Sequence, residues 1–200
     1  MSPNEKAELS RALNVIDMAI TFTAMNRVFE KGSKIKISDQ LHKSLRKLSE
    51  ISDHHDYKLI HLEFCNWFKD NISTAEKTLK NKAKKASRPA SYGHAAKVFD
   101  ITAKVYVHYC NLPDLNTKDM LLPVLHSAID NPTMHFLKSR YPLIKIEART
   151  IETLEMQEYK TLQSLITNHI EEEFNSSIFP VQYDDIMWRR LNRKANLMTN

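Results

Sequence analysis

The chain has 200 residues, of which 42% are hydrophobic and 26% are charged, so it can bury one sizeable core. It contains only two glycines, Gly32 and Gly93, and therefore no glycine-rich loop of the kind that holds nucleotide phosphates. The formal net charge of +5 is uneven: residues 1–100 carry 18 basic and 12 acidic side chains, whereas residues 101–200 carry 11 and 12.

The N-terminal segment and the cysteines bear on the compartment. The segment MSPNEKAELS shows no signal peptide, and no uninterrupted apolar run reaches the ~18 residues that a membrane span needs. Cys65 and Cys110 are isolated within apolar stretches, which is typical of buried thiols in a reducing compartment. We therefore expect a soluble, cytoplasmic protein without a membrane partner.

The spacing of apolar residues predicts helices throughout the first half of the chain. Low glycine content with abundant leucine, alanine, lysine and glutamate also favours helix. In chain order, the predicted elements are a long helix at 3–31 with Gly32 as its C-cap, an extended connector at 34–37, a helix begun by Ser38 or Asp39, an aromatic-rich helix begun by Asp53, and a weakly apolar helix at 74–86 that Pro89 ends.

The second half begins with the most apolar helix of the chain. Ser91 can cap it, and apolar residues nearly surround it as far as Tyr109, so we expect it at the centre of the protein beside the helix that Asp53 begins. Its β-branched end leaves a strand open as an alternative. Further helices are predicted at 118–130, 132–140 and 146–175, and from Asp184.

Together these elements predict the fold class. We expect one all-α domain over residues 1–200, an irregular multi-helix bundle of about seven or eight helices with no significant sheet. Long amphipathic helices often pair between chains, so a homodimer is a further hypothesis.

Two basic clusters are candidate nucleic-acid contacts, because cationic side chains supply the affinity for phosphates. The first consists of Lys77, Lys80, Lys82, Lys84, Lys85 and Arg88, and the second of Arg189, Arg190 and Arg193 beside Trp188, whose indole can stack on a base. Each cluster is also explained as a solvated helix face. The acidic run at 171–173 opposes the dipole of its helix C-terminus, so a basic partner is expected there.

Arg88 and His94 form an R-x5-H pair at the start of the central helix. A guanidinium can hold a phosphate, and an imidazole can transfer a proton near neutral pH. The pair resembles the R-x4-6-H motif of the HEPN superfamily, all-α proteins that are often metal-independent ribonucleases. The resemblance implies that Arg88 holds the phosphate and His94 acts as acid or base, with the pairs of two protomers meeting at a dimer interface. This sequence departs from the family pattern in having Pro89 and Gly93 between the two residues, where the family usually continues one helix.

A polar stripe follows the central helix at steps of three and four residues. Its members are His94, Lys97, Asp100 or Ile101, Lys104 and His108. If this face lines a cleft, Asp100 between the two lysines can orient a cation or take part in acid–base chemistry. Otherwise the stripe is the solvent-facing edge of a buried helix with ordinary surface ion pairs.

No metal site and no cofactor are predicted. His54, His55, Asp56 and His61 share one helical segment, but the sequence has no HExxH or CxxC motif, and the histidines after Asp53 are better explained as a helix N-terminus. The leading hypothesis is a small non-catalytic binding or interaction protein that contacts nucleic acid or a protein partner. Whether the chain is an enzyme stays open, and the alternative is a HEPN-like ribonuclease that uses Arg88 and His94.

Overall fold

The computed structural model describes residues 1–23, 27–51, 53–78 and 84–192, and it confirms the all-α fold class. Eight α-helices are present in these residues. They are α1 (Pro3–Phe22), α2 (Ser33–Arg46), α3 (His54–Asn71), α4 (Tyr92–Ala103), α5 (Leu115–Leu121), α6 (Asn131–Arg140), α7 (Met156–Phe174) and α8 (Pro180–Asn192). Short 3-10 helices form at Lys47–Glu50 and Ile151–Thr153, and a π-helical extension of α4 covers Lys104–Tyr109. None of the described helices is long and apolar enough to cross a membrane.

The first helix is shorter than predicted, and the glycine that follows it has a different role. α1 ends at Phe22, and Thr23 caps it. Gly32 precedes α2 instead of closing α1, and its φ of 92° is the left-handed conformation that glycine adopts without steric cost. Residues 34–37, expected as an extended connector, therefore belong to α2, and Ile37 is buried in the core.

The helix predicted at 74–86 is wrong. A two-residue strand, β1 (Lys77–Thr78), pairs antiparallel with a second, β2 (Lys84–Lys85). Nearer the core, the backbone N–H of Thr74 donates to the carbonyl of Arg88 at 2.8 Å. Hydrogen bonds between separate segments of the chain form here in place of a helix, because the segment has too few apolar residues to bury a helical face. The pairing is so short that the fold remains all-α.

α3 and α4 pack against each other at the centre of the bundle, as expected. Both begin with the predicted caps: the Asp53 carboxylate accepts the backbone N–H of Asp56, and the Ser91 hydroxyl accepts the backbone N–H of His94. α4 is buried on nearly every side and contacts α1, α3 and α7. Any side chain that α4 turns inward is therefore enclosed by several other elements.

A close approach between α4 and the chain before α7 explains the second glycine. A β-carbon on Gly93 would lie 2.5 Å from the Ile151 carbonyl oxygen. The Gly93 N–H donates to the carbonyl of Leu154 at 2.9 Å, and the Ser91 hydroxyl donates to that of Ile151 at 2.6 Å. These tertiary hydrogen bonds use carbonyls that a helix would need, so α7 begins only at Met156, ten residues later than predicted.

The remaining boundaries differ for reasons connected with proline. α5 ends at Leu121, because Pro123 has no backbone N–H to continue the helix that was predicted to run through it. α8 begins at Pro180, before the predicted start at Asp184, since proline is well suited to a first helical turn.

Candidate functional site

A cleft separates α4 and its π-helical extension from α8. Its volume is about 420 Å³, and its lining also includes the end of α1 and the chain before α6. We call it the α4–α8 cleft. The residues that line it include Phe22, Lys97, Ile101, Lys104, Tyr109 and Trp188. A concave, mostly apolar site of this size with a few polar groups is typical of small-molecule binding.

Lys104 connects the two sides of the cleft. Its ammonium donates to the carboxylate of Asp184, which is largely buried, and lies 3.0 Å from Oδ1 of Asp185. Burial opposes the charge of Lys104, but the two carboxylates outweigh it, so the pKa of Lys104 is raised above its ordinary value. Burial raises the pKa of Asp184 to about 6, against the opposite effect of Lys104. The positive charge of Lys104 is thus already neutralised by carboxylates of the protein itself.

Aromatic side chains make up much of the exposed lining. Phe22, Tyr109 and Trp188 retain 67%, 53% and 47% of their accessible surface. The Tyr109 hydroxyl donates to Asp185, and burial together with this bond raises the pKa of Tyr109 to about 12. Exposed aromatic rings around a concave surface are characteristic of binding sites, because they offer a large apolar area with few rotamers to fix.

Lys97 differs from Lys104 in having no carboxylate partner within the described part of the chain. It makes no hydrogen bond or ion pair with the residues that the structure describes. The third carboxylate in the lining beside Asp184 and Asp185 is that of Asp130, which is the N-cap of α6 and accepts the backbone N–H of Thr133 at 2.9 Å. Lys97 therefore brings a positive charge to the cleft that a ligand can use.

The polar stripe predicted on the central helix divides between two environments. Lys97, Ile101 and Lys104 line the cleft, and His108 is partly exposed farther along the same face. Asp100 does not join them: it is buried on another side of α4. The solvent-facing edge of the helix therefore runs through Ile101, which was one of the two alternatives for the middle of the stripe.

Asp100 instead meets His61, His126 and Tyr159, which together we call the core histidine–aspartate cluster. Asp100 Oδ1 lies 3.1 Å from His61 Nε2 and 3.8 Å from His126 Nδ1. The Tyr159 hydroxyl donates to Asp100 Oδ2 at 2.7 Å and lies 2.9 Å from His126 Nδ1. α3, α4, the chain between α5 and α6, and α7 each supply one member of the cluster.

Burial in the core shifts the pKa values of the residues in this cluster. Burial raises the pKa of Asp100 to about 7. Burial also lowers the pKa of His61 to about 3 and that of His126 to about 4. Both imidazoles are therefore neutral at pH 7, and only His61 is within hydrogen-bond distance of Asp100.

Arg88 and His94, the R-x5-H pair, lie in different environments. His94 is only 1% exposed, and its Nδ1 accepts the backbone N–H of Ser91 at 3.3 Å. Burial lowers the pKa of His94 to about 4. Arg88 is partly exposed and donates to Glu152 at 2.6 Å. A HEPN-like reaction needs a histidine that reaches a phosphate, and the His94 ring is enclosed by protein in this structure.

The first basic cluster is only partly covered by the described residues. Lys85 and Arg88 share one partner, Glu152, while Lys77 lies opposite Lys85 in the two-stranded pairing. Of Lys84 only the backbone is described. Lys80 and Lys82 lie outside the described residues, as does Arg193 of the second cluster.

The second basic cluster provides the expected partner for the acidic run at the end of α7. Arg190 donates to both carboxylate oxygens of Glu173, at 2.7 and 3.1 Å. Arg140 reaches Glu172 at 3.0 Å, and Arg189 is exposed. The expectation of a basic partner at this helix end is confirmed.

Comparison with known proteins adds no further evidence: no family model, curated protein or solved structure matches this chain. His126 and Tyr159 were not found from the sequence, since neither belongs to a local motif. The available signal was Asp100 itself, because a charged residue in a helix that is apolar on nearly all sides indicates a buried polar partner.

Proposed function

We propose that the protein is a non-catalytic binding protein whose α4–α8 cleft takes a small molecule with a flat apolar body and one anionic group. The observation that carries this proposal is the presence, in one cleft of about 420 Å³, of exposed aromatic rings and a lysine without a carboxylate partner among the described residues. Binding is favoured over catalysis because Lys104 and Asp184, the cleft groups with shifted pKa values and low exposure, are bonded to each other.

The ligand class follows from the groups in the lining. Phe22 and Trp188 present flat apolar surfaces that favour a planar ligand. Lys97 can donate a charge-assisted hydrogen bond to a carboxylate, sulfonate or phosphate oxygen. Lys104 is less suited to that role, since its two aspartates already hold the ammonium.

Two dyes of similar shape and different charge test this proposal. Anilinonaphthalenesulfonate is planar and anionic, and N-phenylnaphthylamine is its neutral counterpart; both fluoresce when they leave water. We expect both dyes to bind the folded protein. Lys97→Met should lower the affinity for the anionic dye about fivefold to tenfold and leave the affinity for the neutral dye unchanged. Ile101→Trp, which fills the cleft, should abolish binding of both dyes.

The matched control is Lys36→Met, which removes an exposed lysine of α2 away from the cleft lining. Circular dichroism establishes that each variant retains its helices. If Ile101→Trp binds both dyes as the original protein does, the cleft is not the binding site. Equal losses in Lys97→Met and Lys36→Met would mean that the dye responds to net charge alone.

We also infer a second candidate function, the binding of single-stranded nucleic acid by the first basic cluster. The observation that favours it is the antiparallel pairing of β1 and β2, which brings Lys77 opposite Lys85. Glu152 offsets part of the positive charge here, since Lys85 and Arg88 both bond to it, and a bound phosphate backbone would offset more.

Fluorescence anisotropy with a labelled single-stranded RNA tests this second function. Binding should weaken roughly 50-fold between about 50 mM and about 200 mM salt if about four phosphates are contacted. Lys77→Ala/Lys82→Ala/Lys84→Ala should lose most of the binding. The charge-matched variant Lys34→Ala/Lys36→Ala/Lys43→Ala, on the exposed face of α2, should retain it. No binding at low salt would exclude the function.

A further inference from the structure

The core histidine–aspartate cluster encloses a carboxyl group that has no cationic side chain beside it among the described residues. The Asp100 side chain has no exposed surface, and the ion-pair contacts that the described residues give it are with His61 and His126. No lysine or arginine among the described residues pairs with it. A carboxylate enclosed without a cation is costly, because burial removes its hydration and nothing supplies opposite charge.

We propose that this cluster binds one divalent transition-metal ion, with Zn²⁺ the best fit, through His61 Nε2, the Asp100 carboxylate and His126 Nδ1. The ion supplies the positive charge that Asp100 lacks. Two imidazoles and a carboxylate are a donor set that zinc accepts readily. The candidate ligand atoms of the three residues all lie within 4.8 Å of one another.

The spacing of the donor atoms suits tetrahedral coordination. Metal–ligand distances of about 2.0–2.1 Å place the corners of a tetrahedron about 3.4 Å apart. His61 Nε2 and His126 Nδ1 lie 3.1 Å and 3.8 Å from Asp100 Oδ1. The Tyr159 hydroxyl lies 3.4 Å from His61 Nε2 and 2.9 Å from His126 Nδ1. The hydroxyl thus stands where a fourth ligand belongs.

The protons of the cluster can be rearranged to release the required lone pairs. Without metal, His61 Nε2–H donates to Asp100, and His126 Nδ1–H donates to the Tyr159 oxygen. With metal, each neutral imidazole carries its proton on the other ring nitrogen, so neither histidine gains or loses a proton overall, and the Tyr159 O–H keeps its proton and its hydrogen bond to Asp100 Oδ2. His61 Nδ1–H then points toward the sulfur of Cys65, which is 3.8 Å away.

The closed shape of the cluster indicates a structural ion. Catalytic zinc sites keep one position open for water, whereas here the Tyr159 hydroxyl occupies the fourth corner. His61 and Tyr159 are almost fully buried, and His126 alone keeps appreciable exposure, at 23% of its side chain. The ion therefore joins α3, α4, α7 and the chain before α6. This structural role does not depend on ligand binding in the α4–α8 cleft.

Zinc titration of the metal-free protein tests the proposal. We expect one high-affinity zinc per chain, measured by competition with a chromophoric chelator, and a rise in Tm of about 5 °C when free zinc is about 100 times Kd. Asp100→Asn retains the size of the side chain and its bond from Tyr159 but loses the charge. It should bind zinc at least about 100-fold more weakly and show no rise in Tm. Co²⁺ should give the intense visible spectrum of a tetrahedral site in the original protein alone.

Two further variants keep the test decisive. If Asp100→Asn does not fold, His126→Gln replaces it, since His126 is partly exposed and the same loss is expected. His54→Gln/His55→Gln removes the exposed histidines beside Asp53, which can bind zinc weakly at the surface, and should leave the high-affinity site unchanged. Zinc binding that is equal in the original protein and Asp100→Asn, or that is lost with His54 and His55, overturns the proposal.

Discussion

The carbonyl oxygen of Ile151 occupies the space beside Gly93 that any larger residue would need. A β-carbon at position 93 would lie 2.5 Å from that oxygen and 2.8 Å from the β-carbon of Leu154. Backbone atoms cannot move aside as a flexible side chain can. The approach also lets the Gly93 N–H bond to Leu154 and the Ser91 hydroxyl bond to Ile151, so it fixes α4 against the chain that leads into α7.

Gly93→Ala should therefore destabilise the protein by about 3 kcal/mol, because the contact must open and its hydrogen bonds lengthen. Gly32→Ala provides the contrast: no atom lies within 4 Å of the added carbon, and only the left-handed backbone opposes it, which costs about 1 kcal/mol. Urea unfolding of both variants measures the difference. Equal losses of unfolding free energy in the two variants would show that the contact between Gly93 and Ile151 is loose.

His94 should make stability depend on pH in mildly acidic solution. Burial lowers its pKa from 6.5 to about 4; Glu152 opposes this shift, and Arg88, Lys85 and Lys97 add to it. As the pH falls from 6.5 to 4, the unfolded chain gains a proton at this residue and the folded chain does not. Stability is thus complete above pH 6.5 and declines through that window, by roughly 3 kcal/mol in total.

His94→Gln isolates this contribution. Glutamine keeps an acceptor for the Ser91 N–H and has no proton to gain, so the fall in unfolding free energy between pH 6.5 and pH 4 should be shallower by that amount. Denaturation at several pH values gives both slopes. Identical slopes would mean that other groups account for the acid sensitivity.

Lys104→Met should cost about 3 kcal/mol at pH 7, because it leaves the buried carboxylate of Asp184 without its cation. The loss should be smaller at pH 5. Burial already raises the pKa of Asp184 to about 6, so without Lys104 its carboxyl takes up a proton readily in the folded state. Asp185→Asn is the control: its side chain is about one-third exposed, and the change should cost under about 1 kcal/mol.

Arg190→Ala should have little effect on stability despite the two hydrogen bonds to Glu173. Its side chain is 42% exposed, and ion pairs in such positions contribute about 0–1 kcal/mol. Thermal unfolding in low and high salt measures this, and the small difference from the original protein should vanish in high salt. A loss above about 2 kcal/mol would indicate that Arg190 also holds other parts of the chain.

The sequence predicted helices where local signals and burial agree. Asp53 and Ser91 each begin a helix whose apolar residues make it central, and both caps form as expected. The predictions failed at 74–86 and at 146–155. In both segments the backbone forms hydrogen bonds to residues far away in the sequence, as between Thr74 and Arg88 and between Leu154 and Gly93. The spacing of apolar residues within one segment cannot reveal such partners.

The candidate sites were predictable only in part. Spacing placed Lys97 and Lys104 on one face, but it could not decide whether Asp100 or Ile101 continued that face, because α4 is enclosed on almost all sides. His126 and Tyr159 come from other parts of the chain and carry no motif. A site assembled from single residues on separate elements leaves no pattern in any one segment, and only packing brings it together.

The core histidine–aspartate cluster also bears on how the chain assembles. Its contacts join residues 39, 59 and 98 positions apart, so each closes a long loop at an entropic cost. We expect Asp100 to stay hydrated until α7 docks, because α7 supplies Tyr159, whose hydroxyl bonds to Asp100. Docking of α7 would then be the step that takes the carboxyl group out of water.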